Sequence, residues 1–515
     1  MKSSGLSKVF DFLFPLLICS LYLLRINLDF WNDELYTLEH FVLVPLSTTL
    51  GDYHVPNNHI FFNLLNNLYL KLIGLHEIRD LLPSPWKLRI LPFAYALALF
   101  YVVYFQIKRS FSSFTGMAVL LLIAGTIPYF NFVTQIRGYG LSALLLVAAF
   151  LYSLRYFKEA KRSHLFIVGL ASALCIYSVL SNSYSIFCLH AFLLLYYGLS
   201  GLRNKDPKYI ERFKAFGLMS IVSAILCIGL YLPVLEDIVS SKYLQISTPF
   251  LLWQIEYYLP HLWEGWISGR VWLFVMIPIS IIILFIKSSS KLKPQTLAQN
   301  RTHTRTSLTL TLALTLILSA PLISYIRGDQ APLRTFIPLF PFFGIGLGIL
   351  IGNSFERMPK FSYKLLSIIV LAGFSIYSFY MEYQAIHRAQ ALKFANEVSR
   401  QDLYHQFYNA SYFPLKATEE FAQRVNLNGQ KLLILGCQEH GIRHYLDLYQ
   451  IPYIEEERAL EGIDELKAIN AFEEVEMELF IVTNNPNQIP FGKAKDFEQL
   501  SDSVSYHTFI KYKNH

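Results

Sequence analysis

Long apolar stretches recur throughout the first 384 residues, and this feature constrains the fold more than any other. Each stretch is close to the roughly 20 residues that an α-helix needs to cross the hydrocarbon core of a bilayer. Hydropathy therefore predicts a polytopic α-helical membrane protein with about eleven transmembrane helices. The predicted spans are 9–28, 88–107, 113–130, 139–156, 164–181, 184–200, 214–235, 270–287, 307–326, 334–352 and 364–382.

The composition excludes an ordinary soluble enzyme. Hydrophobic residues make up 54% of the 515 residues and charged residues only 16%, whereas soluble domains carry roughly 25% charged residues. A water-soluble chain of this length could not surround so apolar a core with so little charge, which again indicates a membrane protein.

The net charge of +7 is divided between two regions of opposite sign. Residues 385–515 carry 13 Lys and Arg against 19 Asp and Glu, which leaves a net charge of +13 on residues 1–384. Within the first region, 21 Lys and Arg lie on one alternating set of connections between spans. The positive-inside rule places this set and the N-terminus in the cytoplasm, so the basic excess requires no nucleic-acid partner. The long segments 29–87 and 236–269 and the acidic tail are then expected on the outer face of the inner membrane.

Residues 385–515 have the pattern of a small soluble α/β domain. The predicted elements are strands at Lys431–Leu435, Leu479–Thr483 and Val504–Tyr512 and a helix at His440–Tyr449. The sequence therefore predicts a transmembrane domain over 1–384 and an accessory α/β domain over 385–515.

Two adjacent carboxylates, Asp33 and Glu34, follow the first span in the sequence FWNDELY. They begin segment 29–87, and long ordered loops are usually functional. One interpretation is a solvated helix cap, with Asn32 or Asp33 at the N-terminus of a surface helix. The other is catalytic, because a partly desolvated carboxylate is more basic and suited to accept a proton from a hydroxyl.

A second polar cluster, DYHVPNNH, lies further along the same loop and contains His54, Asn57, Asn58 and His59. A capped helix start, with Asn57 or Asn58 as the cap, explains the cluster without a ligand. The same side chains also offer hydrogen bonds and potential metal ligands. The two histidines are five residues apart, unlike the i,i+4 pair of a zinc protease.

Three arginines, Arg89, Arg137 and Arg334, lie at the predicted outer ends of spans, where a cation is costly unless it pairs or meets an anion. Snorkelling of each side chain to the interface is one explanation. The alternative is an outer-face cavity in which these side chains hold phosphate through charge-assisted hydrogen bonds.

The order of these motifs resembles that of the GT-C glycosyltransferases. The shared features are the acidic pair, the long first outer loop with histidines and asparagines, Arg-x-x-Pro in the second span, Arg-x-Tyr at the fourth, and Arg-x-Phe-x-Pro near the end. Over about residues 9–382 the chain looks like the bacterial branch related to protein O-mannosyltransferases and the lipid A aminoarabinose transferase. It departs from that branch in one place, where HVPNNH stands instead of the His-Pro-Pro type signature of many relatives.

The resemblance implies an inverting transfer of a sugar from a polyprenyl-phosphate-linked donor to an acceptor outside the cytoplasmic membrane. It implies that Asp33 is the general base and that Glu34 shapes the site beside it. The residues implied for the donor phosphate are Arg334, Arg137, Tyr139 and Arg327, and those implied for the sugar or the acceptor are His54, Asn57, Asn58 and His59. The acceptor, whether a protein, a glycolipid or a cell-envelope polymer, stays open, as does the participation of a divalent metal.

Two other functions fit a polytopic chain. A transporter or flippase for lipid-linked sugars would tend to have internal repeats, interrupted helices and polar groups at the membrane midplane. The ionisable clusters of this chain instead gather at the predicted outer face, which favours the transferase. A non-catalytic scaffold would keep the fold and bind partners through the acidic tail.

Overall fold

The computed structural model describes most of the first 241 residues and smaller parts of the remainder. The described residues are 5–56, 58–241, 306–318, 333–356, 369–373, 376–377, 380, 414–425, 427, 431–435, 441–456, 478–483, 497–499 and 508–513. Asn57 and Arg327, most of segment 236–269, the predicted span 270–287 and most of the predicted span 364–382 lie outside the described residues.

The described part of the chain is mostly helical. In chain order the helices are α1 (Gly5–Ser20), α2 (Asn32–Thr37), α3 (Leu46–Gly51), α4 (Ile60–Ile73), α5 (Trp86–Ser110), α6 (Ser113–Ala124), α7 (Ile127–Val133), α8 (Tyr139–Glu159), α9 (Arg162–Ser178), α10 (Ser183–Asn204), α11 (Pro207–Tyr231), α12 (Leu235–Ser240), α13 (Thr306–Leu318), α14 (Phe340–Glu356), α15 (Pro414–Arg424) and α16 (Ile442–Leu448). Short 3-10 or π-helical segments lie at Leu21–Leu24, Leu38–Val42, Ile78–Asp80, Leu180–Asn182, Leu232–Val234 and Leu333–Leu339.

Several helical segments are suited to cross a membrane. Within the described residues, five are long and apolar enough: Trp86–Ser110, Tyr139–Glu159, Leu180–Asn204, Pro207–Ser240 and Arg334–Asn353. Each coincides with a predicted span, whereas α4, α6, α9 and α13 are apolar but shorter. The prediction of a polytopic helical membrane protein is confirmed. The count of about eleven spans, each of roughly 20 residues, and the orientation of the chain stay predictions.

Helix α14 packs against α6 along a row of glycines. Gly344, Gly348 and Gly352 recur every four residues, which places them on one face of the helix. A Cβ atom added at Gly348 would lie 2.5 Å from the side chain of Val119 on α6. Small residues of this kind let two membrane helices approach closely. This contact places the start of α14 and therefore the segment Leu333–Leu339 that precedes it.

The described C-terminal residues form a five-stranded sheet in the order β2-β1-β3-β5-β4. Its strands are β1 (Leu432–Leu435), β2 (Tyr453–Glu456), β3 (Glu478–Thr483), β4 (Phe497–Gln499) and β5 (Thr508–Lys513). β1 pairs in parallel with β2 and β3, whereas β5 pairs antiparallel with β3 and β4. The sequence pattern anticipated β1, β3, the terminal strand and α16, but it did not indicate the short strands β2 and β4.

The C-terminal α/β unit packs on the first long loop. Apolar side chains of both regions share one hydrophobic core. The loop contributes Phe30, Leu35, Leu38, Val42, Phe62 and Leu70, and the α/β unit contributes Phe421, Leu432, Ile434, Ile442, Tyr445, Leu446 and Ile451. Because apolar burial is the main favourable term in association, this shared core joins the two regions at the end of the bundle where α2 lies.

Candidate active site

Helix α2 carries the acidic pair and begins just after the first predicted span. Trp31 is the cap residue, and its backbone N–H donates a hydrogen bond to the Glu34 carboxylate at 3.2 Å. Two carboxylates in the first turn are also favoured by the positive end of the helix dipole. The side chain of Glu34 therefore sets the start of the helix and the place of Asp33 within its first turn.

Asp33 lies between two guanidinium groups that come from distant parts of the chain. Its Oδ2 atom is 3.1 Å from Nη2 of Arg334 and 3.6 Å from Nη2 of Arg137. The Asp33 side chain is 15% exposed and that of Arg334 24%, whereas that of Arg137 is only 1% exposed. The structure thus brings together three of the site residues predicted from sequence, in a cluster that stays partly open to the surroundings.

Helix packing explains why the two arginines meet. Arg137 lies in the short connection between α7 and α8, and Arg334 lies in the segment Leu333–Leu339 just before α14. That segment packs against both α7 and α8. This packing brings arginines almost two hundred residues apart in sequence to one carboxylate.

Two further residues, Thr37 and Trp31, hold this cluster in place and were not predicted from sequence. Thr37 Oγ1 donates to the backbone carbonyl of Asp33 at 2.7 Å and accepts from Nη1 of Arg137 at 3.2 Å. The Arg334 guanidinium lies over the Trp31 ring at 5.6 Å. The signal for Thr37 was its spacing of four residues from Asp33, which places both on one helix face.

Tyr139 lies beneath Arg137. The Arg137 guanidinium is 5.7 Å from the centre of the Tyr139 ring, and the tyrosine is buried. A guanidinium over an aromatic face is held by cation–π attraction as well as by hydrogen bonds. Arg137 is thus confined by Thr37 on one side and by the aromatic ring on the other.

Glu34 is fully buried and faces protein groups rather than the partly open cluster. Its Oε1 accepts from Nε of Arg89 at 3.1 Å and its Oε2 from Nη2 at 2.6 Å. Arg89 also donates to the carbonyls of Arg25 and Leu28 and to that of Asp29. Snorkelling to the interface is therefore the wrong explanation for Arg89, whose charge is neutralised inside the protein.

Glu34 also reaches the connection that carries Arg137. The backbone N–H of Ile136, the residue before Arg137, donates to Oε1 of Glu34 at 2.7 Å. The carboxylate thus links α2, α5 and the α7–α8 connection. It shapes the cluster around Asp33 by fixing the backbone on which Arg137 stands.

His59 lies beside the arginine cluster in a buried position. Its Nδ1 accepts a hydrogen bond from the backbone N–H of Gly138 at 2.8 Å, so the neutral ring carries its proton on Nε2. Burial, together with the charges of Arg137 and Arg334, holds the pKa of His59 well below its ordinary value. Its ring meets the Tyr139 ring edge-on at 5.3 Å. His59 is thus a neutral imidazole next to the cluster.

The side chain of Asn58 forms hydrogen bonds within the first long loop. Its Nδ2 donates to the carbonyls of Thr49 and Asp52 at 3.1 and 2.6 Å, and its Oδ1 accepts from Nδ2 of Asn63 at 2.9 Å. Both amide hydrogens are therefore used within the loop, which differs from the expected contact with the sugar or the acceptor. Asn58 is not the helix cap either, because α4 follows His59, which makes no side-chain capping bond.

His54 lies in a separate and more exposed group. Its Nδ1 is 2.5 Å from Oδ1 of Asp52, and its Nε2 is 2.8 Å from the hydroxyl of Tyr36. Tyr36 lies three residues after Asp33 on α2, so this group begins one helical turn from the cluster. The structure therefore separates the two predicted histidines: His59 lies against Arg137, and His54 lies near the open side of α2.

A divalent metal has no evident ligand set among the described residues. No three His, Cys, Asp or Glu side chains converge in a way that could hold an ion in that part of the chain. The Asp33 carboxylate faces guanidinium groups instead.

Comparisons with solved structures identify the fold. The chain superposes on ArnT from Cupriavidus metallidurans in the apo state with a TM-score of 0.53, covering 98% of each chain at 12% sequence identity. The same protein bound to undecaprenyl phosphate gives a TM-score of 0.52 at 12% identity, covering 99% of this chain and 98% of that one. The fold is that of ArnT. The expected resemblance to a GT-C glycosyltransferase is thereby confirmed for the fold.

Sequence comparison adds no closer relative. No protein-family model matches the chain, and no characterised protein matches its sequence. A weaker structural likeness, with a TM-score of 0.46 at 12% identity, relates it to the oligosaccharyltransferase of Archaeoglobus fulgidus in complex with Zn and sulfate, over 92% of this chain and 67% of that one.

Proposed function

We propose that this protein is an integral-membrane glycosyltransferase that moves a sugar from a polyprenyl-phosphate-linked donor to an acceptor hydroxyl. The observation that carries the proposal is one carboxylate, Asp33, held between two guanidinium groups at the end of an apolar helix bundle. The likeness to ArnT, crystallised with undecaprenyl phosphate, supports a lipid-linked donor. A donor with a membrane-embedded tail also accounts for an enzyme built from membrane spans.

In the proposed reaction, Asp33 accepts the proton of the acceptor hydroxyl while the hydroxyl oxygen attacks the anomeric carbon of the donor sugar. The bond between this carbon and the phosphate oxygen breaks, and its electron pair stays on the leaving polyprenyl phosphate. Attack opposite the leaving group inverts the configuration. A positioned general base of this kind contributes about 10²–10⁴ in rate.

Arg334 and Arg137 stabilise the leaving phosphate. The phosphate gains negative charge in the transition state, so a fixed guanidinium stabilises that state more than the ground state. Arg137 is held by Thr37 and Tyr139 and needs little reorganisation. Arg334 is more exposed and is the first of the two cations that an incoming phosphate meets.

Donor binding also prepares the base. The Asp33 carboxylate faces Arg334 and Arg137. A donor phosphate brings a competing negative charge to the same guanidinium groups, and their ion pairs with Asp33 weaken as it binds. The carboxylate then becomes available to the acceptor hydroxyl, so the donor binds before the acceptor.

In the proposed site, His59 donates a hydrogen bond rather than accepting one. Its Nδ1 is occupied by the Gly138 N–H, so Nε2–H is the group it can offer to a sugar hydroxyl or a phosphate oxygen. We assign the acceptor contacts to His54 and Tyr36, which are hydrogen-bonded to each other on the more exposed side of α2. The acceptor itself is a protein, a glycolipid or a cell-envelope polymer. The site lies on the outer face of the inner membrane, as the distribution of Lys and Arg predicts.

A transfer assay tests the proposal. Membranes containing the protein are incubated with a panel of labelled polyprenyl-phosphate sugars, and label is followed into protein, lipid and polymer fractions. We expect one donor to give transfer with the wild type and none with Asp33→Asn, provided that both insert and unfold at similar temperatures. Label that moves at the wild-type rate with Asp33→Asn excludes Asp33 as the base, and vectorial movement of the intact lipid-linked sugar without transfer supports a flippase instead.

A further inference from the structure

The C-terminal α/β unit contacts the backbone immediately before α2. The hydroxyl of Tyr445, on α16, donates to the carbonyl of Phe30 at 2.9 Å, and both residues are buried. The backbone N–H of Leu415, at the start of α15, donates to Oδ2 of Asp29 at 2.9 Å. Two successive residues ahead of α2 are therefore held by groups about four hundred residues away in sequence.

The same unit holds the backbone immediately after α2. Glu39, two residues beyond Thr37, accepts hydrogen bonds from Nη2 of Arg443 at 2.6 and 2.7 Å and approaches Nε2 of His444 at 3.3 Å. The hydrogen bond from His444, followed by that from Arg443, lowers the pKa of Glu39 to about 2 against the opposing effect of burial. Arg443 and His444 belong to α16, the helix that also carries Tyr445.

Apolar contacts connect these two polar anchors. Phe30, Leu35 and Leu38 of the α2 region share a hydrophobic core with Ile442 and Leu446 of α16. Helix α16 therefore shares a buried apolar core with the α2 region and provides one polar anchor before α2 and one after it. In contrast, the partners of Asp33, which are Arg137 and Arg334, come from the helix bundle.

We propose that α16 is a positioning element for the reaction, with Tyr445 and Arg443 as positioning residues that hold Asp33 in register with the donor phosphate site. This inference rests on the proposed function. The carboxylate that accepts the proton is set by α2, which is bound to the bundle through Glu34 and to the C-terminal unit through the residues before and after it, whereas the guanidinium groups that bind phosphate are set by the bundle alone. Activity therefore depends on the docking of the two parts, and the C-terminal unit is part of the active-site scaffold rather than an accessory.

Rate and affinity respond differently to a change in this contact. A misplacement of about 1 Å at a reacting group can cost about 10²-fold in rate. Loosening α16 moves Asp33 but leaves Arg137 and Arg334 in the bundle, so kcat falls while the KM for the donor is kept. A general loss of folded protein would instead lower the amount of active enzyme and its melting temperature together.

The test compares Tyr445→Phe, which removes one hydroxyl and keeps the ring, with Arg443→Glu, which opposes Glu39. The matched control is Lys431→Ala, which removes the charge of an exposed cation in the same unit. We expect kcat to fall about tenfold or more for Tyr445→Phe and further for Arg443→Glu. The control should keep the wild-type kcat, and the donor KM should stay unchanged in all three variants. The charge-swapped pair of Arg443→Glu with Glu39→Arg should recover much of the lost kcat.

Three outcomes overturn the inference while leaving the proposed function intact: unchanged kcat for Tyr445→Phe and Arg443→Glu, no recovery in the charge-swapped pair, or a fall in kcat that only matches a loss of folded protein in thermal unfolding. If the wild-type protein transfers sugar from none of the donors, the proposed function itself fails. Failure of the proposed function is distinguishable from failure of this inference, because it is observed with the wild-type protein and requires no variant.

Discussion

Glu34 and Arg89 form a buried bidentate ion pair directly beside the helix turn that carries Asp33, with N–O distances of 3.1 and 2.6 Å. Adjacent carboxylates in the sequence therefore occupy different environments. Glu34 has protein partners for both oxygens, and Asp33 is partly exposed between two cations. The buried pair supplies the framework, and the partly exposed carboxylate of Asp33 is the one to which the proposed chemistry is assigned.

Breaking the buried pair should unfold the protein more easily. Arg89→Met leaves the Glu34 carboxylate uncompensated in the interior, and loss of one partner of such a pair costs about 3–5 kcal/mol of the free energy of unfolding. We expect a clear fall in the melting temperature measured in detergent. Combining Arg89→Met with Glu34→Gln should recover part of the loss, because no unpaired charge then remains.

An exposed pair provides the control for that measurement. Arg109 lies 3.4 Å from Glu159 with its side chain 57% exposed, and exposed pairs contribute little. Arg109→Gln should therefore leave the melting temperature nearly unchanged. Equal effects of Arg89→Met and Arg109→Gln would contradict the assignment of a structural role to the buried pair.

Arg334 should act on the donor. Because its guanidinium faces the proposed phosphate site and stacks on Trp31, Arg334→Ala should lower kcat/KM for the donor by about 10²–10³. Arg334→Lys keeps the charge but loses the planar stacked group, so we expect partial activity. Steady-state kinetics with varied donor concentration measure both effects. Arg79→Ala, which removes an exposed arginine of the first loop, should behave as wild type, and a similar loss for it would point to a nonspecific effect of charge.

Much of this site could be anticipated from sequence because a bilayer leaves few choices. Backbone groups in lipid must bond internally, so apolar runs become helices and charged residues gather at their ends. Asp33, Arg137 and Arg334 all lie near predicted span ends at one face, and the fold brings them together for that reason. The order of the short motifs along the chain was sufficient to predict the fold.

Other relationships could not be anticipated, for reasons that are also physical. Asp33 and Glu34 are adjacent, and their different environments depend on Arg89, which no local pattern links to them. The contact between Arg443 and Glu39 joins residues about four hundred positions apart and depends on tertiary docking. The glycine row on α14 was visible in the sequence, but its partner on α6 follows only from helix packing.

The packing of α14 on α6 can be tested at Gly348, with Gly346 on the same helix as the control. A Cβ atom at Gly348 would lie 2.5 Å from the side chain of Val119 and 2.8 Å from its Cα, whereas one at Gly346 meets nothing within 4 Å. Gly348→Ala should therefore cost about 1–3 kcal/mol of the free energy of unfolding. Gly346→Ala should be neutral or slightly stabilising, because alanine restricts the unfolded chain. Thermal unfolding of the two variants in one detergent makes the comparison, and equal melting temperatures would show that α14 does not pack on α6 through this face.

The stability of the folded protein should vary with pH because of the Asp29 carboxyl. Burial raises the pKa of its carboxyl from an ordinary value near 3.8 to about 7, against the lowering effects of the Leu415 N–H and the charge of Arg89. The folded protein therefore binds this proton more tightly than the unfolded chain does. The stabilisation from the protonated group is complete below about pH 4 and is lost as the pH rises towards 7.

The variant Asp29→Asn separates this effect from all other titrations, since it keeps an oxygen that can accept from the Leu415 N–H and carries no charge. At pH 8 we expect Asp29→Asn to melt at a higher temperature than the wild type, with a free energy of unfolding higher by up to about 4 kcal/mol. At pH 4 the two proteins should melt at nearly the same temperature. The exposed Asp447 gives the control, because Asp447→Asn should show no such pH-dependent difference. If Asp29→Asn is less stable than the wild type at pH 8, the N–H of Leu415 and the charge of Arg89 outweigh the burial of the carboxyl, and its pKa is not raised in the folded protein.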